Sequence, residues 1–269
     1  MSMTRIPQKF EQLNLSGRKA LIPYVTPEFP FRGITVPLLS ELGQSGADMI
    51  ELGIPFSDPL ADGPTIQHSS EIAIKNGATI ATILSSVHEF RKNSDIPLLL
   101  MGYVNPILRF GVERFVEECS KAGVDGLIVP DLPPEEATSL EQACARASIS
   151  NVFLIAPTTL DDRIRVIDSH STDFSYCVSV TGVTGARIQL GANGSFDEFL
   201  HRVRKNIRKK FVVGFGISTA QQVESVWRIA DGAVVGSALL SHIGNSASSR
   251  EAVASAGRFL KSLRPSPAR

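Results

Sequence analysis

Eight short runs of apolar, strand-forming residues recur along the chain and constrain its fold more than any other feature. Stretches with helical periodicity separate them, for example Thr79–Arg91, Val112–Lys121 and Pro134–Arg146. The Ser/Gly-rich segment Ser241–Ser249 predicts a loose connection to a last helix around Arg250–Leu263. Because the runs are nearly continuous in hydrophobicity, they predict parallel strands covered by helices on both faces. The predicted strands are Ala20–Tyr24, Met49–Leu52, Leu98–Tyr103, Gly126–Val129, Val152–Ile155, Phe174–Val180, Phe211–Gly214 and Ala233–Val235.

Eight strand–helix units within 269 residues predict an α/β fold, a closed (β/α)8 TIM barrel in which residues 1–269 form a single domain. The phrases Ser45–Met49, Ala122–Gly126 and Ile229–Ala233 each lead from a helix into a strand. A glycine at this point fits a helix C-cap, and the repetition favours one repeated unit over two domains. A doubly wound open sheet is the alternative architecture.

The composition argues against several classes of protein. Lys+Arg and Asp+Glu are balanced at 27 each, which gives no indication of binding to nucleic acid or to an anionic membrane surface. Apolar runs such as Ile96–Met101 are far shorter than the ~18 residues of a membrane span, and Met1–Phe10 has no apolar segment typical of a secretory signal. Three cysteines without metal-type spacing suit the reduced thiols of a cytoplasmic protein. They are Cys119, Cys144 and Cys177.

Glu51 is a carboxylate inside the second apolar run, and catalytic groups of such barrels lie at the carboxyl ends of the strands. Strand alternation places Glu51 on the same face as Met49, which predicts that it points into the barrel mouth. An unpaired carboxyl group there has a raised pKa and suits general acid catalysis. The structural alternative is a buried glutamate neutralised by a nearby Lys or Arg.

Two aspartates, Asp58 and Asp62, follow in a loop stiffened by prolines. An aspartate before Pro or Gly is commonly a turn residue whose carboxylate binds local amides. This interpretation is favoured for Asp58, which precedes Pro59, whereas for Asp62 the residues alone leave structural and catalytic roles open.

Glycine-rich loops follow the last three predicted strands, at Thr181–Gly185, Gly214–Ser218 and Gly236–Ser237. Glycine lets backbone amides approach an anion closely, and a helix N-terminus adds a favourable dipole. Because the loops after strands seven and eight commonly bind phosphate in this architecture, the pattern predicts a phosphate site. The alternative is that these glycines only form turns.

Two kinds of chemistry have no candidate residues in the sequence. No predicted strand carries a lysine, which argues against a Schiff-base enzyme. The histidines lie outside the predicted strands without ligand spacing, so we expect no catalytic metal and no cofactor. These histidines are His68, His88, His170, His201 and His242.

The motifs of this chain resemble those of the tryptophan synthase alpha subunit family, and the likeness extends in order over nearly the whole chain. The segment Glu51–Pro64 is the most specific of them. The motifs are Glu51–Pro64, Leu100–Pro106, Val129–Glu135, Ala156–Thr158, Thr181–Gly185, Gly214–Ser218 and Gly236–Ser237.

The resemblance implies a (β/α)8 barrel that cleaves indole-3-glycerol phosphate by a retro-aldol reaction into indole and glyceraldehyde 3-phosphate. It implies that Glu51 is the catalytic glutamate and that Asp62 is the aspartate facing the indole nitrogen. It also implies that Tyr24, Tyr176 and Thr184 line the substrate site.

The resemblance further implies a phosphate site and a partner, the tryptophan synthase beta subunit, in an α2β2 complex. Asp58, Asn105 and Pro106 match positions that face this partner. The phosphate-binding positions implied in the same way are Gly185, Gly216, Gly236 and Ser237.

Two segments depart from the family pattern. The first loop reads Thr26–Pro30 where many members have Thr-Ala-Gly-Asp-Pro, and Val180 stands where some members carry an arginine. Neither departure affects the proposed acid or the aspartate at the indole nitrogen. The loops Ile54–Pro64 and Thr181–Gly194 are long enough to act as lids over substrate, with ordinary flexible loops as the alternative.

Three alternatives to this function remain open at this point. One is a standalone indole-3-glycerol phosphate lyase that releases free indole and needs no partner. Another is a different phosphate-binding barrel, such as an isomerase or synthase acting on a phosphorylated sugar. The third is a subunit that mainly activates a partner and has weak catalysis of its own.

Overall fold

The computed structural model describes residues 4–178, 195–214 and 216–264, and within them the chain forms a barrel of parallel strands surrounded by helices. Nine hydrogen-bonded strands follow one another in the order β5-β4-β3-β2-β1-β9-β8-β7-β6. They are β1 Ala20–Val25, β2 Ile50–Gly53, β3 Leu98–Met101, β4 Gly126–Ile128, β5 Ser150–Val152, β6 Leu154–Ile155, β7 Phe174–Val178, β8 Lys210–Gly214 and β9 Gly232–Val235.

The barrel closes through Phe153, the single residue between β5 and β6. β5 pairs with β4 and β6 pairs with β7, while the Phe153 carbonyl accepts a hydrogen bond of 3.0 Å from the Tyr176 N–H. β5 and β6 therefore occupy one strand position of the barrel, that of the predicted strand Val152–Ile155. Counted in this way, the barrel has eight strands. The predicted TIM barrel is confirmed.

Twelve α-helices and one short 3-10 helix, Pro134–Glu136, are formed by the described residues. The α-helices are α1 Arg5–Leu15, α2 Thr35–Gln44, α3 Pro64–Lys75, α4 Ile80–Arg91, α5 Val104–Phe110, α6 Val112–Ala122, α7 Thr138–Ala147, α8 Asp161–His170, α9 Ser195–Asn206, α10 Ala220–Trp227, α11 Ser237–Gly244 and α12 Ser249–Ser262.

Three helical predictions need correction. The segment Ser241–Ser249 is not a loose connection throughout, because its first four residues complete α11, which buries Leu239, Leu240 and Ile243 against the barrel. The single helix predicted over Pro134–Arg146 is interrupted at Ala137, between the 3-10 helix and α7. Helix α1 has no counterpart among the predicted elements.

Helix α1 packs against the amino end of the barrel. It buries Ile6, Phe10 and Leu13, and the ring of Phe10 meets that of Phe174 edge to face at a centroid distance of 5.6 Å. These contacts shield the bottom of the barrel interior from solvent, so the opposite, carboxyl end is the accessible mouth.

The prediction that no strand carries a lysine is wrong, because Lys210 begins β8. Its ammonium lies 3.3 Å from the Asp231 carboxylate at the amino end of the barrel. Lys210 is therefore at the end opposite the mouth, whereas a Schiff-base lysine would be needed at the mouth.

The repeated helix-to-strand phrases place an aspartate at the amino end of three strands. The carboxylate of Asp48 accepts the N–H of Leu21 at 2.9 Å, that of Asp125 the N–H of Leu98 at 2.8 Å, and that of Asp231 the N–H of Phe211 at 3.1 Å. Each aspartate thus joins its own strand to the strand that precedes it in the sequence.

The predicted C-cap glycine holds for two of the three phrases. Gly46 and Gly123 have φ values of +100° and +87° just after α2 and α6, a region that glycine adopts readily. Gly232 instead begins β9, so the third phrase uses its glycine differently. A Cβ on Gly232 would come within 3.0 Å of the Ala20 side chain in the neighbouring strand.

Candidate active site

Four side chains of the candidate site meet towards the carboxyl ends of β1, β2, β3 and β7. They are Tyr24, Glu51, Tyr103 and Tyr176. Tyr24 in β1 lies opposite Glu51 in β2, which is its register partner. Tyr176 in β7 is paired with Leu154, and Tyr103 follows the end of β3. Parallel strands bring all four side chains to the same end of the barrel.

Glu51 is fully buried, and neither oxygen of its carboxyl group has a hydrogen-bond partner among the described residues. Burial raises the pKa of Glu51 to about 8, and the nearby Tyr176 hydroxyl opposes this shift without forming a well-aligned hydrogen bond. None of the ion pairs between described residues involves Glu51, which argues against a structural, neutralised glutamate. The group is protonated at neutral pH and can donate its proton.

Asp62 is half-buried in the loop between β2 and α3. Burial raises the pKa of its carboxyl group to about 6, while a hydrogen bond from the Tyr103 hydroxyl lowers it. The local turn is formed by the backbone of Asp62, whose N–H donates to the Pro59 carbonyl at 3.1 Å and whose carbonyl accepts from the Gln67 amide at 2.9 Å. The Asp62 carboxylate therefore takes no part in these turn contacts, and it is ionised at neutral pH.

Asp58 lies in the same loop and is exposed. Its carboxylate accepts the Ser57 hydroxyl at 2.6 Å, and its carbonyl accepts the N–H of Leu60 at 3.0 Å. These are the local turn contacts expected of an aspartate before proline. Leu60 itself is 82% exposed, so this part of the loop presents an apolar side chain beside a charged one.

All three tyrosines of the chain lie at this site, and two of them cross a glycine of another strand. A Cβ on Gly53 would overlap the hydroxyl of Tyr24, and a Cβ on Gly214 would overlap the hydroxyl of Tyr176. Glycine is thus required at both positions for the phenol rings to reach across the mouth. Burial holds the pKa of each tyrosine hydroxyl above its usual range, so all three are neutral donors.

The first loop, Thr26–Pro30, which departs from the family pattern, is held in shape by Glu28. Glu28 has a φ of +56°, and its carboxylate accepts the Thr35 hydroxyl at 2.5 Å together with the N–H of Gly33. The Asn76 amide at the end of α3 donates to the Glu28 carbonyl at 2.8 Å. The loop is therefore closed by its own glutamate and tied to the helix that follows Asp62.

The predicted phosphate positions Gly236 and Ser237 form the N-terminus of α11, which has no side-chain cap. The ring of Tyr24 packs on Gly236, where a Cβ would lie 3.3 Å from the nearest ring atom. Gly216 follows β8, has a φ of +68° and faces open space. Backbone amides at a helix N-terminus can hold an anion. Thr184 and Gly185, like Val180 and the loop Thr181–Gly194, lie outside the described residues.

The partner-facing positions predicted from the resemblance lie in the first turn of α5. Asn105 is exposed and Pro106 half-buried, and Leu108 in the next turn is 58% exposed. Within the described ranges, helices long and apolar enough to cross a membrane are absent.

Tyr103 is a residue of this site that sequence reasoning did not single out. Its hydroxyl accepts the N–H of Ala61 at 2.9 Å and lowers the pKa of the neighbouring Asp62 carboxyl group. It lies inside the motif Leu100–Pro106, so its position was available, but nothing in the sequence shows that it contacts a loop some forty residues earlier. From the sequence, Gly53 was interpreted only as the end of its strand and Gly214 only as part of a predicted phosphate-binding loop.

Comparison with known sequences identifies close relatives. The sequence model of the family described as tryptophan synthase alpha chain matches residues 10–264. A tryptophan synthase alpha chain of Pelodictyon phaeoclathratiforme is 49% identical over 271 aligned positions, which cover 98% of this chain and 100% of that protein. One of Chlorobium luteolum is 49% identical over 254 residues, covering 92% and 94%.

Solved structures share the fold. Tryptophan synthase subunit alpha from Legionella pneumophila superposes with a TM-score of 0.89 at 34% identity, covering 98% of each chain. A chain of the tryptophan synthase complex from Pyrococcus furiosus gives a TM-score of 0.83 at 40% identity, covering 91% of this chain and 97% of that one.

Proposed function

The chain belongs to the tryptophan synthase alpha chain family, a carbon–carbon lyase of tryptophan biosynthesis that cleaves indole-3-glycerol phosphate, and from this premise we propose that Glu51 and Asp62 perform the cleavage. The observation that carries this assignment is the difference between the two carboxyl groups. Burial keeps Glu51 protonated at neutral pH, with a pKa of about 8, whereas Asp62 with a pKa of about 6 is ionised. Such a separation assigns an acid and an ionised partner.

In the proposed first step Glu51 donates its proton to carbon 3 of the indole ring. The positive charge that develops on the ring is shared by the ring nitrogen, whose N–H donates a hydrogen bond to the Asp62 carboxylate. An ionised acceptor held in a largely buried site stabilises this charge far more than water does. The indole then leaves as a neutral enamine-type product instead of a carbanion.

In the second step the Glu51 carboxylate takes the proton of the side-chain hydroxyl next to the bond that breaks. The electron pair of that carbon–carbon bond returns to the ring, and the released fragment becomes the aldehyde of glyceraldehyde 3-phosphate. Glu51 ends protonated, so the proton balance closes without a cofactor. Tyr24 and Tyr176 border the same space and are proposed to line the substrate.

The phosphate group is proposed to lie at the N-terminus of α11, against the backbone of Gly236 and Ser237, with Gly216 and Gly185 completing the site. The packing of Tyr24 on Gly236 and beside Glu51 supports this arrangement, because one residue joins both ends of the proposed pocket. Thr184 remains proposed as a substrate contact from the resemblance.

The partner is the tryptophan synthase beta subunit, and the Pyrococcus furiosus relative is described as a tryptophan synthase complex. We propose that Asp58, Asn105 and Pro106 face this partner. The exposed Leu60 and Leu108 beside them support an interface at the barrel mouth. Assembly with a partner is favoured over a standalone lyase because the relatives are alpha chains rather than standalone enzymes. A cytoplasmic location is proposed as well, and the three buried, free cysteines support it.

The experiment that tests the assignment is the substitution Glu51→Gln, which keeps the shape of the side chain and removes its acid function. Turnover of indole-3-glycerol phosphate should fall by about 10²- to 10⁴-fold with little change in substrate affinity, measured by indole release and by equilibrium binding. Unfolding in urea at pH 8 provides the control. The variant should be at least as stable as the parent, because burial disfavours the ionised glutamate in the folded state. Loss of folding together with binding would instead indicate a structural role for Glu51.

A further inference from the structure

We propose that Tyr103 is a positioning residue for the reaction, which holds the Asp62 carboxylate in its reactive orientation and joins it to the start of α5. This inference rests on the proposed function of Asp62. The hydroxyl of Tyr103 accepts the backbone N–H of Ala61, the residue before Asp62, at 2.9 Å, and it lies close enough to the Asp62 carboxyl group to lower its pKa. This hydroxyl therefore fixes the loop backbone directly before Asp62 and lies near the carboxylate itself.

Tyr103 is itself fixed on two sides. Its side chain is 6% exposed, and its ring packs on that of Phe56 at a centroid distance of 5.4 Å. The next residue, Val104, donates its N–H to the Asp131 carboxylate at 2.9 Å, so the loop after β4 holds the first turn of α5. A hydroxyl on so constrained a ring has little freedom, and holding a catalytic group through such packed contacts is what a positioning residue requires.

The hydrogen-bonding capacity of a phenol suits this position. A phenol has one proton to donate and lone pairs to accept, so the hydroxyl that accepts from Ala61 keeps its own proton for the Asp62 carboxylate. Two other ionisable groups face this pair: Tyr24 of β1, near Asp62, and Asp131, near Tyr103, while Glu51 lies beyond Tyr24. Among the described side chains, Tyr103 is the one whose hydroxyl lowers the pKa of the Asp62 carboxyl group.

The same hydroxyl connects the site to the proposed partner surface. Asn105 and Pro106 come directly after Val104 in the first turn of α5, and Asp58 lies in the loop that Tyr103 holds. The two segments proposed to face the beta subunit thus meet at the Tyr103 hydroxyl.

The test is Tyr103→Phe in the full-length chain, which keeps the ring packing and removes the hydroxyl. The titration of Asp62 is followed by carbon NMR of chain labelled at aspartate carboxyl groups, with the Asp62 signal assigned through Asp62→Asn. Loss of a hydrogen bond that favours the ionised form should raise the Asp62 midpoint by about one pH unit. In assays of the same variant, kcat should fall more than KM changes, and the acid limb of kcat/KM should move with the NMR midpoint while the alkaline limb stays.

The control variant is Ser57→Ala, which removes a different hydroxyl of the same loop, one that donates to Asp58, and it should not move the Asp62 midpoint. An unchanged midpoint in Tyr103→Phe, or an equal shift in Ser57→Ala, would overturn the positioning role. Failure of the proposed function is a separate result: normal turnover in Asp62→Asn would remove Asp62 from catalysis whatever the NMR midpoint does.

Discussion

At the scale of single residues, the site depends on two carboxyl groups whose surroundings differ. Glu51 is fully enclosed and has no hydrogen-bond donor in good geometry, whereas Asp62 is half-buried and lies near the Tyr103 hydroxyl. Desolvation raises the pKa of both carboxyl groups, and a tyrosine hydroxyl partly offsets it in each, Tyr176 for Glu51 and Tyr103 for Asp62. The two pKa values therefore follow from position in the barrel: Glu51, in a buried strand, has a higher pKa than Asp62, in a half-buried loop.

This order predicts the pH dependence of catalysis. Activity should rise with pH as Asp62 ionises, around its pKa of about 6, and should fall as Glu51 loses its proton, around its pKa of about 8. The kcat/KM for indole-3-glycerol phosphate should accordingly follow a bell-shaped curve with its maximum near pH 7. A profile that continues to rise above pH 9 would show that protonated Glu51 is not required.

Glu51, Asp62 and Tyr103 differ in how far their roles could be predicted from the sequence. Strand alternation was enough to point Glu51 into the mouth, because the apolar run around it fixed the strand. Asp62 needed the family resemblance, since an aspartate before glycine looks like a turn residue until its hydrogen bonds are seen. Tyr103 needed the structure, because its contact joins two loops far apart in the sequence and no local pattern encodes such a contact.

At the scale of elements, the amino ends of the strands carry the stabilising charges and the carboxyl ends carry the chemistry. Asp125 shows the arrangement clearly: it accepts the N–H of Leu98 and forms ion pairs with Arg91 at 2.5 Å and Arg5 at 3.1 Å. The Asp125 side chain is 4% exposed and that of Arg91 9%. This buried pair joins α4 to the strand that α6 precedes, far from the mouth.

Removing the charge of Asp125 should therefore destabilise the fold without touching the proposed site. Asp125→Asn leaves the Arg91 cation buried without its partner, and the free energy of unfolding should fall by about 3 kcal/mol in urea titrations at pH 7. Asp95→Asn is the matched control, because Asp95 pairs with the same Arg5 but is 95% exposed, and it should change stability by less than about 1 kcal/mol. Equal effects of the two substitutions would contradict a structural role specific to the buried pair.

The elements were predictable where hydrophobic pattern dominates and less so where it does not. The apolar runs predicted all eight strands of the barrel, yet they could not show that one of them is divided at Phe153 into β5 and β6. Helix α11 was missed because it has only eight residues and its last four belong to the Ser/Gly-rich segment Ser241–Ser249, although Leu239, Leu240 and Ile243 bury its inner face. Helix α1 was missed although Ile6, Phe10 and Leu13 have the spacing of an amphipathic helix, because it precedes the first strand and lies outside the repeating strand–helix pattern.

At the scale of the whole molecule, the barrel separates stability from function and places the partner positions beside the catalytic loop. Asp58 and Asp62 belong to one loop, and the Tyr103 hydroxyl joins that loop to α5, which carries Asn105. Binding of a beta subunit at this face would restrict the same segments that hold Asp62. We therefore expect the partner to raise the rate of cleavage by ordering the catalytic groups.

The most direct measurement is indole release from indole-3-glycerol phosphate by the purified chain, with and without a tryptophan synthase beta subunit. The chain alone should release indole slowly, the complex should release it much faster, and Glu51→Gln should lower the rate of release by about 10²- to 10⁴-fold in both. Fast release by the chain alone, unchanged by the partner, would identify a standalone lyase. No release under either condition would contradict the proposed reaction itself.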